Sequence, residues 1–132
     1  MTRYAIDAAT GLRLIQDQRT LAPGHALVGA AALRSQVMAL LYRQVRAAGL
    51  DERAGTELLE RLAGLKIRLL GDRGSRAQAW RYAVQDGRGQ IGALEYLAVA
   101  VLQADALITQ DADLIAAAAG RIPVAEYEDL FR

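Results

Sequence analysis

Residues 106–115 read ALITQDADLI, a short apolar run that halts on Thr109 and Asp111 and then restarts as a helix. Near the N-terminus RYAIDAATGL, residues 3–12, follows the same plan, with an apolar run closing on Asp7 before a helix begins. Serine or glycine would turn either corner more cheaply than a carboxylate. Ending two buried strands on acids therefore raises the question of whether those acids meet.

Working outward, residues 3–7 read as a strand and 8–16 as a short helix. LAPGHALVG, with Pro23 and Gly24, reads as a turn-rich connection. From Ala31 to Arg46 the residues Leu33, Val37, Leu40, Leu41 and Val45 recur at three- and four-residue steps, the mark of an amphipathic helix. After the turn AAGLDE a second helix runs from Asp51 to Leu62. KIRLLG is a strand closed by Gly71, and residues 75–86 are helical until DGRGQIG breaks them. ALEYLAVAVLQA is a helix, ALITQD a strand, ADLIAAAAG a helix stopped by Gly120, and IPVAEY a last short strand. This alternation predicts an α/β fold: a mostly parallel central sheet between two layers of helices, as one domain over residues 1–132.

The bulk properties narrow the function classes. A chain of 132 residues encloses a core without staples, and the absence of cysteine removes disulfides, thiolate catalysis and zinc–cysteine sites. No apolar run is long enough to span a bilayer, and the N-terminus enters a strand instead of a charged leader, so a soluble, cytoplasmic protein is expected. The net charge of +1 does not by itself predict a nucleic-acid partner. All the basic residues except Lys66 are arginine, which suits phosphate but also follows from GC-rich coding.

In an open parallel sheet, ligands bind beyond the carboxyl ends of the strands where strand order reverses. If the strands ending at Asp7 and Asp111 are neighbours, both carboxylates project from one edge. Two acids on a partly dry edge repel each other unless a cation or a proton lies between them. Oxygen ligands without cysteine, and with His25 the sole histidine, suit Mg²⁺ or Mn²⁺. A competing role is simpler, because an aspartate after a strand is also a common N-cap for the next helix. Other chemistries fit worse. Asp7 is followed by Ala8 and Ala9 rather than by a second acid, GDRGSR has neither the lysine nor the glycine spacing of a phosphate loop, and His25 lies in a loop-like stretch.

Taken together, YAIDAATGL, LRSQVMALLYRQV, KIRLLGDRGSRAQAW and LEYLAVAVLQADALITQDADL resemble a PIN domain, more narrowly the VapC-type toxin ribonucleases. The resemblance runs from Tyr4 to Pro123, and EYLAVAVLQADALITQD is its most specific piece. It implies a Mg²⁺- or Mn²⁺-dependent endoribonuclease, the toxin of a type II toxin–antitoxin pair, with an antitoxin partner and a homodimeric form. Asp7 matches the family's first catalytic aspartate, Asp111 its late one, and Thr109 the adjacent hydroxyl residue. The high apolar content, 53%, also suits a chain that seeks a partner.

Two positions depart from the pattern. Gln36 stands where many members carry a glutamate, and its amide could ligate the ion weakly, hold a metal-bound water, or simply bond a neighbouring backbone group. Counting back three residues from Tyr96, where the family has an aspartate, lands on Ala93. Glu95 is the nearest acid and a candidate catalytic residue: a step of two residues turns a helical side chain by about 200°, close to the opposite face, but a distorted first turn at Gly92 could redirect it. Asp113 and Asp86 are the other candidate replacements. Arg13, Arg73 and Arg76 are candidates for holding an RNA backbone. The rival reading is a catalytically impaired PIN-like module that binds RNA or protein. Three or more carboxylates around Asp7 and Asp111 would favour the enzyme, and two alone the module.

Overall fold

The computed structural model describes residues 1–47, 51–87 and 90–132. The breaks expected at AAGLDE and DGRGQIG lie partly outside the described residues. The chain order is β1 (Thr2–Ile6), α1 (Ala8–Asp17), β2 (His25–Ala30), α2 (Leu33–Arg46), α3 (Glu52–Gly64), β3 (Arg68–Leu70), α4 (Arg73–Asp86), α5 (Ile91–Gln103), β4 (Ala106–Ile108), α6 (Ala112–Ala118) and β5 (Val124–Ala125), with a 3-10 turn at Tyr127–Phe131. The strands form one sheet in the order β3-β2-β1-β4-β5, and every pairing is parallel.

That order accounts for the layers. The chain steps outward one way from β1 to β2 to β3, then crosses back to β4 and on to β5. Right-handed crossovers therefore place α1, α2 and α3 on one face and α5 and α6 on the other. The packing agrees, since α1, α2 and α3 contact one another while α5 lies on β1, β2 and β4. Helix α5 has no polar stripe because it is enclosed almost all round: Leu94 and Tyr96 through Ala100 are buried. Its alanines let the helix sit close to the sheet. Leu97, fully buried, contributes about 1.5–3 kcal/mol by leaving water.

The stretch read as a turn-rich connection needs correcting. Pro23 and Gly24 do make a turn, with Gly24 at φ +85° and its carbonyl accepting from the Thr2 N–H at 2.8 Å. The next six residues, however, are β2, paired to β1 on one side and β3 on the other. Gly29 within this strand marks a close approach: a Cβ there would lie 3.0 Å from Leu33 Cδ1 and 3.2 Å from Ile67 Cδ1. The sheet therefore has five strands where four were expected.

Elsewhere the helices start where the side chains can satisfy them. Asp51 accepts from the Ala54 N–H at the start of α3, and Asp72 and Ser75 form a reciprocal capping box at the start of α4. The buried positions of α2 are Leu33, Val37 and Leu41, one face of the predicted amphipathic helix.

Candidate functional site

Strand order reverses between β1 and β4, since the chain leaves β1 toward β2 while β4 lies on its other side. Ile6 is level with Ile108 in the register. Asp7 and Thr109 are therefore the next residues out from the same sheet edge, with Asp111 two further on. The strand-end acids come from neighbouring strands at the place where open parallel sheets bind ligands.

Asp7 is half-buried and has two tasks. Its Oδ1 accepts from the Thr10 N–H at 2.9 Å, capping α1, and its Oδ2 accepts from the Thr109 hydroxyl at 2.5 Å. The buried Thr109 Oγ1 in turn accepts from the Asp111 N–H at 3.1 Å, while the Thr10 hydroxyl donates to the Ile108 carbonyl at 3.3 Å. These bonds tie the ends of β1 and β4 together. Asp111 differs: it stands at the N-cap position of α6, but its side chain caps nothing and is exposed. So capping and site-forming are combined in Asp7 and separated in Asp111.

Two clefts flank the pair. One, of about 460 Å³, is lined by Asp7, Asp111, Gln36, Arg43, Ala93 and Tyr96. The other, of about 300 Å³, lies between Asp7, Asp111, Thr10, Arg13 and Tyr127. In the larger cleft the helical wall carries no carboxylate; its charged group is the Arg43 guanidinium. Gln36 Oε1 on α2 accepts from the Tyr96 hydroxyl on α5. Burial first, and then the charges of Asp7 and Glu95, hold the Tyr96 phenol well above its usual range. Tyr96 therefore remains a donor, and Gln36 is committed to it.

The replacement acids lie elsewhere. Ala93 lines the larger cleft, whereas Glu95 lines neither. Asp86 is held by Arg121 through two bonds of 3.0 Å in a separate cleft of about 780 Å³, which Asp113 and Ala93 also line. His25 lies in β2 opposite Thr2, at the far end of the sheet, with Nδ1 3.1 Å from the Leu130 carbonyl oxygen. The Arg13 guanidinium stacks 3.8 Å over the Tyr127 ring and pairs with Asp17 at 3.8 Å.

Neither a protein-family model nor a curated protein matches the sequence. Solved structures match the fold. A chain of VapBC2 from Rickettsia felis, solved bound to a DNA fragment from its promoter, is similar over 94% of this chain and 98% of its own, with a TM-score of 0.63 and 8% identity. A chain of VapBC-1 from nontypeable Haemophilus influenzae is similar over 95% and 98%, with a TM-score of 0.63 and 14% identity. The fold is PIN-like. At such low identity the likeness is one of architecture, and the chemistry must be judged from the residues in place.

Within this PIN-like edge, no three histidine, aspartate or glutamate side chains among the described residues come together as a metal site. The donors are two carboxylates and an amide already bonded to a phenol. That set does not fit a closed cage. It does fit a weakly held Mg²⁺ that keeps several waters and takes further oxygens from a phosphate, since Mg²⁺ often uses only one or two carboxylates.

Sequence reasoning missed Arg43 and the part played by Tyr96. Arg43 lies seven residues after Gln36, about two helical turns, so one face of α2 carries both to the cleft. That spacing was available in the sequence. The phenol–amide bond was not, because it joins residues 60 apart.

Proposed function

We propose that this chain is the PIN-like member of a toxin–antitoxin-type pair and engages RNA at the carboxyl edge of its sheet, with a divalent-ion site reduced to Asp7 and Asp111. The observation that carries this reading is the pairing of those two acids at the strand-order reversal, while Gln36 and Ala93 occupy the places where further acids were expected. Two carboxylates without a third favour the binding module over an efficient nuclease. VapBC assemblies share the fold, which supports a small antitoxin protein as partner. A homodimer is the proposed resting form, tested by sedimentation at micromolar concentration.

A second reading, slow metal-dependent cleavage of the RNA phosphodiester, is favoured by Asp111, whose carboxylate is not spent on capping. Asp7 and Asp111 would hold Mg²⁺ or Mn²⁺, directly or through water. The bound ion would acidify an attacking water and neutralise charge gathering on the phosphate. Thr109 keeps the Asp7 carboxylate in place, and Arg43 in the same cleft offers a cation to the phosphate.

Incubating total RNA with the protein in Mg²⁺, in Mn²⁺ and in chelator, with binding followed in parallel, separates the two. RNA binding in chelator without cleavage in either metal supports the module. Cleavage that needs metal and disappears in Asp7→Asn and Asp111→Asn establishes the nuclease. Absence of both binding and cleavage overturns the RNA reading altogether.

A further inference from the structure

Helix α4 reads RGSRAQAWRYAVQD. At about 100° per residue, Arg73, Arg76, Trp80 and Val84 share an arc of about 80°. The buried Ser75, Ala79 and Tyr82 occupy a separate arc centred about 130° away. Trp80 is 67% exposed and Val84 68%, and Arg73, Arg76 and the flanking Arg81 are exposed as well. An indole offers a large apolar surface that a merely structural role would bury.

The charge on this face is one-sided. Among the described residues Arg73, Arg76 and Arg81 belong to no ion pair within 4.0 Å, and Arg81 donates to the neutral Gln78. Asp72 spends its carboxylate on the Ser75 N–H and interacts with Arg76 only as a minor influence, while Asp86 is held by Arg121. Arg13, by contrast, is already engaged by Tyr127 and Asp17. A self-complementary dimer through α4 would bring like guanidiniums together, which disfavours a second copy as the occupant. A polyanion that also offers flat apolar rings matches both features.

The position fits as well. Helix α4 begins directly after the carboxyl end of β3. Its last turn shares a cleft with Ala93, which also lines the Asp7–Asp111 cleft. We propose that the outer face of α4 is a docking surface for single-stranded RNA, with a base stacked on Trp80 and backbone phosphates held by Arg73 and Arg76. This rests on the RNA-engaging reading above and selects, among the arginines, those that extend its site.

Trp80 is the chain's sole tryptophan, so its fluorescence reports on this face directly. Titrating the full chain in chelator with a labelled single-stranded oligoadenylate, following both label anisotropy and intrinsic emission, separates binding from any cleavage. Binding is expected to quench Trp80. Trp80→Ala should weaken it about tenfold, and Trp80→Phe should restore most of the loss. Arg73→Gln with Arg76→Gln should lower the slope of log affinity against log salt by about 1.4, or about 0.7 for each phosphate contact. Binding that leaves Trp80 emission and the Trp80→Ala affinity unchanged overturns this proposal alone. Equal quenching by duplex DNA, or an emission change driven by protein concentration or by a protein partner in place of RNA, also overturns it. Failure of the wild-type chain to bind RNA at low salt removes it together with the RNA reading.

Discussion

The two sides of the Asp7–Asp111 cleft are built from different chemistry. On the sheet side a carboxylate is wired into the fold by Thr10 and Thr109, with a second, exposed carboxylate beside it. On the helical side the corresponding places hold an amide, a phenol and a methyl group, from Gln36, Tyr96 and Ala93. The sheet side can attract a cation, whereas the helical side pairs Gln36 with Tyr96 and adds the exposed Arg43, and no buried side-chain donor or acceptor is left unpartnered among the described residues. The edge geometry does not depend on the helical wall, because the hydrogen bonds that hold the edge together, from Thr10 to Ile108 and from Thr109 to Asp7, do not pass through it.

The largest expected effect breaks the sheet side. Whatever metal-dependent cleavage the protein shows should fall to background in both Asp7→Asn and Asp111→Asn, measured on total RNA. Asn at position 7 retains an oxygen for the Thr10 N–H but turns its NH2 toward the Thr109 hydroxyl, so the fold should lose at most about 1 kcal/mol.

Truncation separates the two acids from each other. Asp7→Ala removes the α1 cap and the Thr109 bond and should cost about 2 kcal/mol, the sum of a lost cap and a lost hydrogen bond. Asp111→Ala should stay within about 0.5 kcal/mol of wild type, as surface substitutions usually do. Urea melts in chelator measure both. Equal losses would mean that Asp111 also holds the fold.

Restoring charge to the helical side sharpens the contrast. Gln36→Glu and Ala93→Asp should each raise Mg²⁺ affinity about tenfold, roughly 1.4 kcal/mol, and the double variant most of all. In chelator each should lower stability, because an added carboxylate faces Asp7 and Asp111 without an ion. Calorimetric titration and melts test the two halves. If Ala93→Asp changes nothing while Glu95→Gln eliminates wild-type binding, Glu95 already supplies the third ligand.

The smallest effect concerns the phenol. Tyr96→Phe removes the donor to Gln36 Oε1 and should cost about 1 kcal/mol. The same change made in a Gln36→Leu background should cost less, since no acceptor is then left unmatched. A double-mutant cycle of denaturant melts gives the difference.

Local pattern was enough for much of this molecule. Three- and four-residue apolar steps predicted the face of α2 that carries Leu33, Val37 and Leu41, and apolar runs closing on acids predicted β1 and β4 with Asp7 and Asp111 at their ends. Hydrophobic periodicity reports which side of an element is buried, and that is readable within one or two turns of chain. Strand β2 escaped because it follows the Pro23–Gly24 turn without a break, and the turn signal spreads over the apolar residues behind it. Strand order, the adjacency of β1 and β4, the bond from Thr109 to Asp7 and the commitment of Gln36 to Tyr96 were decided only by the tertiary structure. The β1–β4 adjacency and the two side-chain bonds each join residues 60 or more apart in the chain, and no local preference ranks such partners; they are selected by the global packing that brings the segments together.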